Sequence, residues 1–301
     1  MTLYEILGSV ETGFIFALVA MGAFITFKVL DFPDLTVEGS FPLGAAVCAT
    51  LMVNFGFNPW ISVLLAGFAG FVAGYVTALL NVRYGILHIL AGILVAISLY
   101  SINLRIMSGP NKPLLGVDNV YSSVEWTGIP YMYLTPVVLG LFVLGGLILL
   151  HLFLATGHGL SMRATGANPH MAEANGINIG RMKLMGVSLA NFLTAIAGAL
   201  FAQSFGSADA YMGIGVIITG LASVIVGMSI LPSSTIFKAL IACIVGAVLY
   251  RLAVALALNA DFIGLAASDV QLVTAIIVVI ALVTQSSKFS LKSLRKGGPE
   301  K

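Results

Sequence analysis

The chain has 301 residues, of which 59% are hydrophobic and only 9% charged, with a mean hydropathy of +1.06 and a formal net charge of +2. Soluble domains carry roughly 25% charged residues, so an ordinary water-soluble fold is excluded. So small a net charge gives no reason to expect nucleic acid as a partner.

The 33 glycines suit helices packed in lipid. No hydrophobic drive acts between helices there, and small residues let backbones approach. Cys48 and Cys243 lie far apart in apolar runs. They read as small buried hydrophobes, not as a disulfide or a metal site. The first basic residue is Lys28, and Glu5 and Glu11 occupy the place of a basic n-region. The N-terminus therefore reads as part of the mature protein, not as a cleavable signal.

Nine apolar segments follow in order: Thr12–Leu30, Phe41–Phe55, Pro59–Leu80, Leu87–Met107, Tyr131–Leu154, Leu184–Phe205, Gly213–Ile230, Ile236–Leu258 and Val270–Val283. A helix needs about 20 apolar residues to cross a bilayer core, so the second and last are short and are expected to be tilted, extended or partly inserted. The expected fold is an all-α polytopic membrane protein of eight to nine transmembrane helices. It forms one domain over residues 1–287, followed by a basic tail at 288–301 that carries no assignable motif.

Lysine and arginine placement sets the expected orientation. With the N-terminus outside, Lys28, Arg83, Arg163, Arg181, Lys183, Lys238, Lys288, Lys292, Arg295, Lys296 and Lys301 all fall on the inner side. Only Lys112 lies in an outer loop, and Arg105 and Arg251 lie near outer helix ends, where snorkelling to the headgroups is the expected behaviour. The C-terminus is then cytoplasmic.

Two stretches interrupt this pattern in related ways. DFPDLTVEGSFPLGAAV (31–47) and SADAYMGIGVIITGLASV (207–224) are each an acidic hinge followed by a short glycine-bearing helix, and the helices preceding them run in opposite directions. Either they are the broken helices of an inverted repeat, which flank a substrate route in many transporters, or they are unrelated loops with turn chemistry. Polar groups inside spans are costly and therefore functional candidates. Glu38, Ser40, Asn103, Asn191, Gln203, Thr219 and Ser223 form that set. Asn191 reads equally as helix–helix glue or as a path lining, and Ser223 as a hydroxyl bonded to its own helix.

Between the fifth and sixth segments, residues 155–183 include RATGANPHMAEANGINIGRMK. Asn168 is a helix N-cap with Pro169 at the first helical position, and Gly176 is a left-handed stop. The enclosed HMAEAN gives about two turns, too short to hold unaided in water. It must rest on something or be an incidental turn in a solvated loop.

Enzyme motifs are missing. There is no G-x-x-x-x-G-K-[ST], no H-E-x-x-H and no G-x-S-x-G, and the four histidines are scattered. Asp31 and Asp34 flank a proline at a helix end, so no mid-membrane acid is evident. Neither a metal nor another cofactor is expected.

The 163–203 stretch, together with DLTVEGSFPLGA, ILAGILVAISLYSINLRIM and GSADAYMGIGVIITGLASVIVG, resembles permease subunits of binding-protein-dependent ABC importers in the branched-chain amino-acid permease superfamily. The resemblance is nearest to the tryptophan/tyrosine permease subgroup. It rests in the loop on Arg163, Ala164, Gly166, Asn168, Ala172, Gly176 and Ile177, and it spans about Gly13 to Val283. It implies that Arg163, Gly166, Asn168, Pro169, His170, Met171, Ala172, Glu173, Ala174, Asn175 and Gly176 form an ATPase-coupling helix and its surroundings. It also implies separate ATP-binding-cassette subunits that hydrolyse ATP, an extracytoplasmic substrate-binding protein, a homodimer or paired permease subunits, and the cytoplasmic (inner) membrane of a prokaryote. The implied cargo is a small solute such as an amino acid; the subgroup resemblance alone implies an aromatic one, and small peptides, branched-chain amino acids or another small metabolite stay open. An ion-coupled secondary transporter is the competing reading, and a structural or channel-like subunit is a third.

Overall fold

A computed structural model describes residues 3–128, 130–231 and 235–258, with isolated helical positions between 272 and 279. The ninth apolar segment lies largely outside these residues, and the tail wholly so. Helices dominate: α1 (Leu3–Ala23, continued by a π-helical turn at Phe24–Val29), α2 (Val37–Phe55), α3 (Pro59–Tyr84), α4 (His88–Met107), α5 (Tyr131–Ala155), α6 (Gly157–Ala167), α7 (Pro169–Ala174), α8 (Ile179–Phe205), α9 (Val216–Ile230) and α10 (Ile236–Leu258). Seven helical stretches among the described residues are long and apolar enough to cross a membrane, and α9 is a shorter apolar helix. The chain is an all-α polytopic membrane protein.

Several boundaries shift: α3 ends at Tyr84 and not Leu80, and α8 starts at Ile179 and not Leu184. The first span starts at Leu3, not Thr12, because Glu5 and Glu11 are tolerated in its opening turns, where Ser204 donates a hydrogen bond to the Glu11 carboxylate. The second starts at Val37, so VEGS is helical rather than hinge. α6 was not anticipated: its GHGLSMRATGA lacks apolar periodicity, but Thr156 caps it by accepting from the Gly159 N–H.

The alternation of crossings has a direct check. β1 (Asn111–Pro113) pairs antiparallel with β2 (Ser207–Asp209), Lys112 opposite Ala208. The loops after α4 and α8 therefore lie on one side, opposite the α6–α7 hairpin.

α3 and α8 form the central pair, and their closeness follows from sequence. Gly67, Gly70 and Gly74 leave one face of α3 without side chains; the α8 backbone at Val187 and Asn191 comes up against Gly74 and Gly70, and the Phe192 and Ile196 side chains fill the space at Gly67. Gly44 of α2 meets Ala195, and Gly198 of α8 meets Phe41, by the same device. The outer faces of α3 and α5 remain apolar and exposed, as at Phe68, Val72, Leu141 and Leu149. Such faces suit contact with lipid or with another apolar protein surface.

Candidate functional site: an extramembrane hairpin tied to a broken helix

Asn168 breaks the chain between α6 and α7 with an extended backbone (φ −157°, ψ 101°), and its side chain accepts from the Met171 N–H at 3.1 Å. Pro169 follows at the first helical position. At the other end the Gly176 and Ile177 N–H groups bond the carbonyls of Glu173 and Ala172, with Gly176 at φ 79°. The expected punctuation is present, and it encloses a six-residue helix. Pro169, His170, Met171, Glu173, Ala174 and Asn175 are exposed, and Arg163 on α6 is exposed as well. Ala172 is not: it is 3% exposed and packs inward, so it belongs to the support of α7 and not to its outer face.

The support reaches into the membrane. Gly166 places the α6 backbone against the backbone of Val29 and Leu30, where a Cβ would have no room. Gly186 of α8 closes on Leu30 and Met162. Val29 ends the π-helical turn, which is capped by the Leu30 N–H on the Ile25 carbonyl; beyond it the Phe32 N–H bonds back to the Thr26 carbonyl. π-turns inside helices cluster at functional sites. Asp31 then takes φ 51°, a left-handed conformation that few non-glycine residues other than Asp and Asn adopt. The hairpin thus leans directly on the place where the first span breaks.

From there the chain runs back among the helices without helical structure to Thr36. Asp34 is fully buried. Its carboxylate accepts from the Asn191 Nδ2 at 2.6 Å and from the Thr36 N–H at 2.9 Å. Asn191 also donates to the Val187 carbonyl at 2.9 Å, and its Oδ1 accepts from the Ser40 hydroxyl at 2.6 Å. Thr36 and Thr77 share a hydrogen bond of 2.7 Å. Gly92 of α4 allows the Leu35 and Thr36 amides to approach. Asn191 is close to the middle of the 27-residue α8, and Thr77 lies about 10 Å inside the end of α3 at 1.5 Å per residue. An acid therefore sits inside the bundle, contrary to the expectation from the sequence. Helical periodicity assigns DFPD to a helix end, and only the third dimension folds that end inward. Thr36 and Thr77 were likewise missed, Thr77 being one hydroxyl in an apolar run.

The second break meets the first. Pro42 has no N–H, which leaves the Glu38 carbonyl without its helical partner, and Gly213 packs its backbone against that carbonyl. The Glu38 carboxylate accepts from the Gly215 N–H at 3.3 Å, just before α9. The two hinges singled out in the sequence are thus in contact. The remaining polar positions spread around them. Asn103 donates to the Gly39 carbonyl at 3.3 Å. Gln203 donates to Cys48 Sγ at 3.1 Å and accepts from the Val120 N–H at 2.8 Å. Thr219 donates to the Gly215 carbonyl at 3.2 Å, and Ser223 bonds back to the Thr219 carbonyl at 2.7 Å. Asn191 and Gln203 are both buried and join different elements in this conformation. They are not brought together.

Arg105 is exposed, in keeping with snorkelling. Arg251 is not, and this corrects the reading from sequence. Its guanidinium lies 3.8 Å over the ring of Phe16, the central residue of the Leu3–Val29 span. A side chain on a helix leans toward that helix's N-terminus, so from position 251 it reaches inward and not to the nearer end.

Broken helices that meet inside an apolar bundle, tied to a capped hairpin outside it, define a multi-pass transport protein. Residues 6–283 match the family described as the branched-chain amino acid transport system permease component, and the chain belongs to that family of ABC-transporter permeases. It is 38% identical over 279 residues to the tyrosine transport system permease protein of Clostridioides difficile, covering 92% of this chain and 90% of that one. It is 27% identical over 207 residues to a probable branched-chain amino acid transport permease protein of Methanocaldococcus jannaschii, covering 64% of each chain. It is 23% identical over 258 residues to the ribose import permease protein of Escherichia coli K12, covering 85% and 77%. No solved structure matches the chain significantly.

Proposed function

We propose that this permease imports an amino acid with an aromatic side chain, driven by ATP hydrolysis on a partner subunit docked at α7. The contact between Gly166 and the Val29–Leu30 backbone carries the reading: it joins the exposed helix to the break that holds Asp34. Force applied at α7 moves α6, and α6 moves the end of α1. Packed interfaces switch between discrete arrangements rather than deform smoothly, so a small shift there is enough to rearrange the buried hub. Glu38, Ser40, Asn103, Asn191, Gln203, Thr219 and Ser223 ring the two breaks from which a path opens. Aromatic cargo is supported by the 38% identity to a tyrosine transport permease.

In this reading residues 1–287 form the permease domain, with the coupling loop at 155–183 and the cytoplasmic tail at 288–301. The N-terminus faces outward, which puts the α6–α7 hairpin in the cytoplasm with most basic residues. Two permease subunits pair in the inner membrane of a prokaryote, and an extracytoplasmic binding protein delivers the solute. The expected result is tyrosine uptake into proteoliposomes holding the permease, its ATPase and its binding protein, and only with ATP.

Asp34 favours one other reading, because a buried acid suits ion-coupled transport. Uptake without nucleotide under an imposed proton gradient would support that reading and contradict the first.

A further inference from the structure

Arg251 is a charge held at the middle of a membrane bundle. Its guanidinium stacks on Phe16 at 3.8 Å, and its Nε is buried with no hydrogen-bond partner among the described residues. The residue as a whole keeps partial exposure. Stacking occupies one face of the guanidinium and leaves its N–H edge unused by the ring. An arginine needed only to join α10 to α1 would be replaceable by an apolar side chain, since an ionised group inside a bilayer is costly and marks a pathway by default.

The surroundings suit one kind of ligand. Phe16 stacks with Phe41 (5.9 Å between centroids, 25°) and meets Phe201 edge-on (6.4 Å, 86°). Phe201 stacks in turn on Phe205 (4.2 Å, 19°), which is 57% exposed at the end of α8. A ladder of rings therefore leads from an exposed helix end to the guanidinium. Rings bind rings by offset and edge contacts, and a guanidinium edge binds carboxylate bidentately.

We propose that Arg251 is the station at which the permease takes the carboxylate of an aromatic amino acid, the Phe205–Phe201–Phe16/Phe41 ladder guiding its ring. This rests on the amino-acid import reading and adds the residue that recognises the cargo within the membrane. The cation–π contact holds the guanidinium at mid-depth with its Nε unpartnered among the described residues, and the carboxylate neutralises it on arrival.

The test is uptake of radiolabelled tyrosine by the complete importer in proteoliposomes, with ATP hydrolysis and thermal stability measured on the same preparations. Arg251→Gln is expected to lower uptake by about ten-fold or more, as for loss of a charged hydrogen-bonded contact, while binding-protein-stimulated ATP hydrolysis stays within about two-fold. Arg251→Lys, which keeps the charge and loses the planar fork, should give intermediate uptake with a raised KM. Uptake by Arg251→Gln within about two-fold of the unmodified importer would overturn the proposal. So would parallel loss of uptake, hydrolysis and thermal stability, because the arginine would then be a staple between helices. If Arg251→Gln does not insert, Arg251→Lys decides alone: unchanged KM for tyrosine contradicts the station, and a raised one supports it. No tyrosine uptake by the unmodified importer would instead bring down the import reading itself, and is seen before any variant is made.

Discussion

Replacing Asn191 with leucine is expected to abolish transport and to destabilise the permease by about 2–5 kcal/mol, because two buried groups lose their partners at once. The Asp34 carboxylate loses the amide that bonds it at 2.6 Å, and the Ser40 hydroxyl loses its acceptor at 2.6 Å. Leucine keeps the branched outline but is bulkier, so overpacking in this fully buried site adds to the loss of hydrogen bonding. No water is at hand inside the bundle to make good the deficit cheaply. Gly74 lies against the Asn191 side chain, so the site has little room to rearrange. The midpoint of thermal unfolding in detergent and the yield of monodisperse protein report the effect. Asp34→Asn should behave similarly, since its new N–H2 would face the Asn191 donor. A leucine variant as stable and active as the parent would show that the hub is incidental.

Substitutions on the outer face of α7 should behave in the opposite way. Glu173→Trp and His170→Trp project from exposed positions and should leave insertion, yield and thermal stability within about 0.5 kcal/mol of the parent. Uptake should nonetheless fall by about ten-fold or more if a partner's groove must close over that face, a loss of at least about 1.4 kcal/mol in coupling. ATPase co-purification should weaken in step. Ala172→Trp and Gly176→Val fail for internal reasons. Ala172 is 3% exposed, so a ring there overpacks the hairpin at a cost of about 1–3 kcal/mol. Gly176 holds φ 79°, which a β-branched residue resists by roughly 1–2 kcal/mol. Full uptake by the Trp variants would make α7 a passive loop.

Local signals were readable where chemistry is local. Asn168-Pro169 and Gly176 fix both ends of α7 through caps and one backbone angle, and these need no tertiary knowledge. Apolar run length located seven spans among the described residues, though not all of their ends. The two hinges were visible as acidic, glycine-bearing stretches in corresponding places, the first also broken by proline; a missing N–H at Pro42 and a missing Cβ at Gly213 let the breaks touch. What was not readable depends on where a segment goes after it breaks. DFPD is equally a surface helix end or an inward turn, and only packing on Gly92 and Asn191 decides for the latter. Arg251 misled for a similar reason. Its position is near a helix end, but its side chain leans the other way and finds Phe16. α6 was missed because its small polar residues have no apolar stripe, and bringing the Gly166 backbone against Val29 needs none.

The most direct test of the central claim, that an ATPase acts on this permease through α7, is a photo-reactive amino acid placed at Met171, which is 62% exposed. In the assembled importer it is expected to form a covalent adduct with the ATP-hydrolysing subunit, at a yield that changes when the nucleotide state is trapped. Adducts only with lipid or with the permease itself, in every nucleotide state of an importer that still transports, would contradict the account.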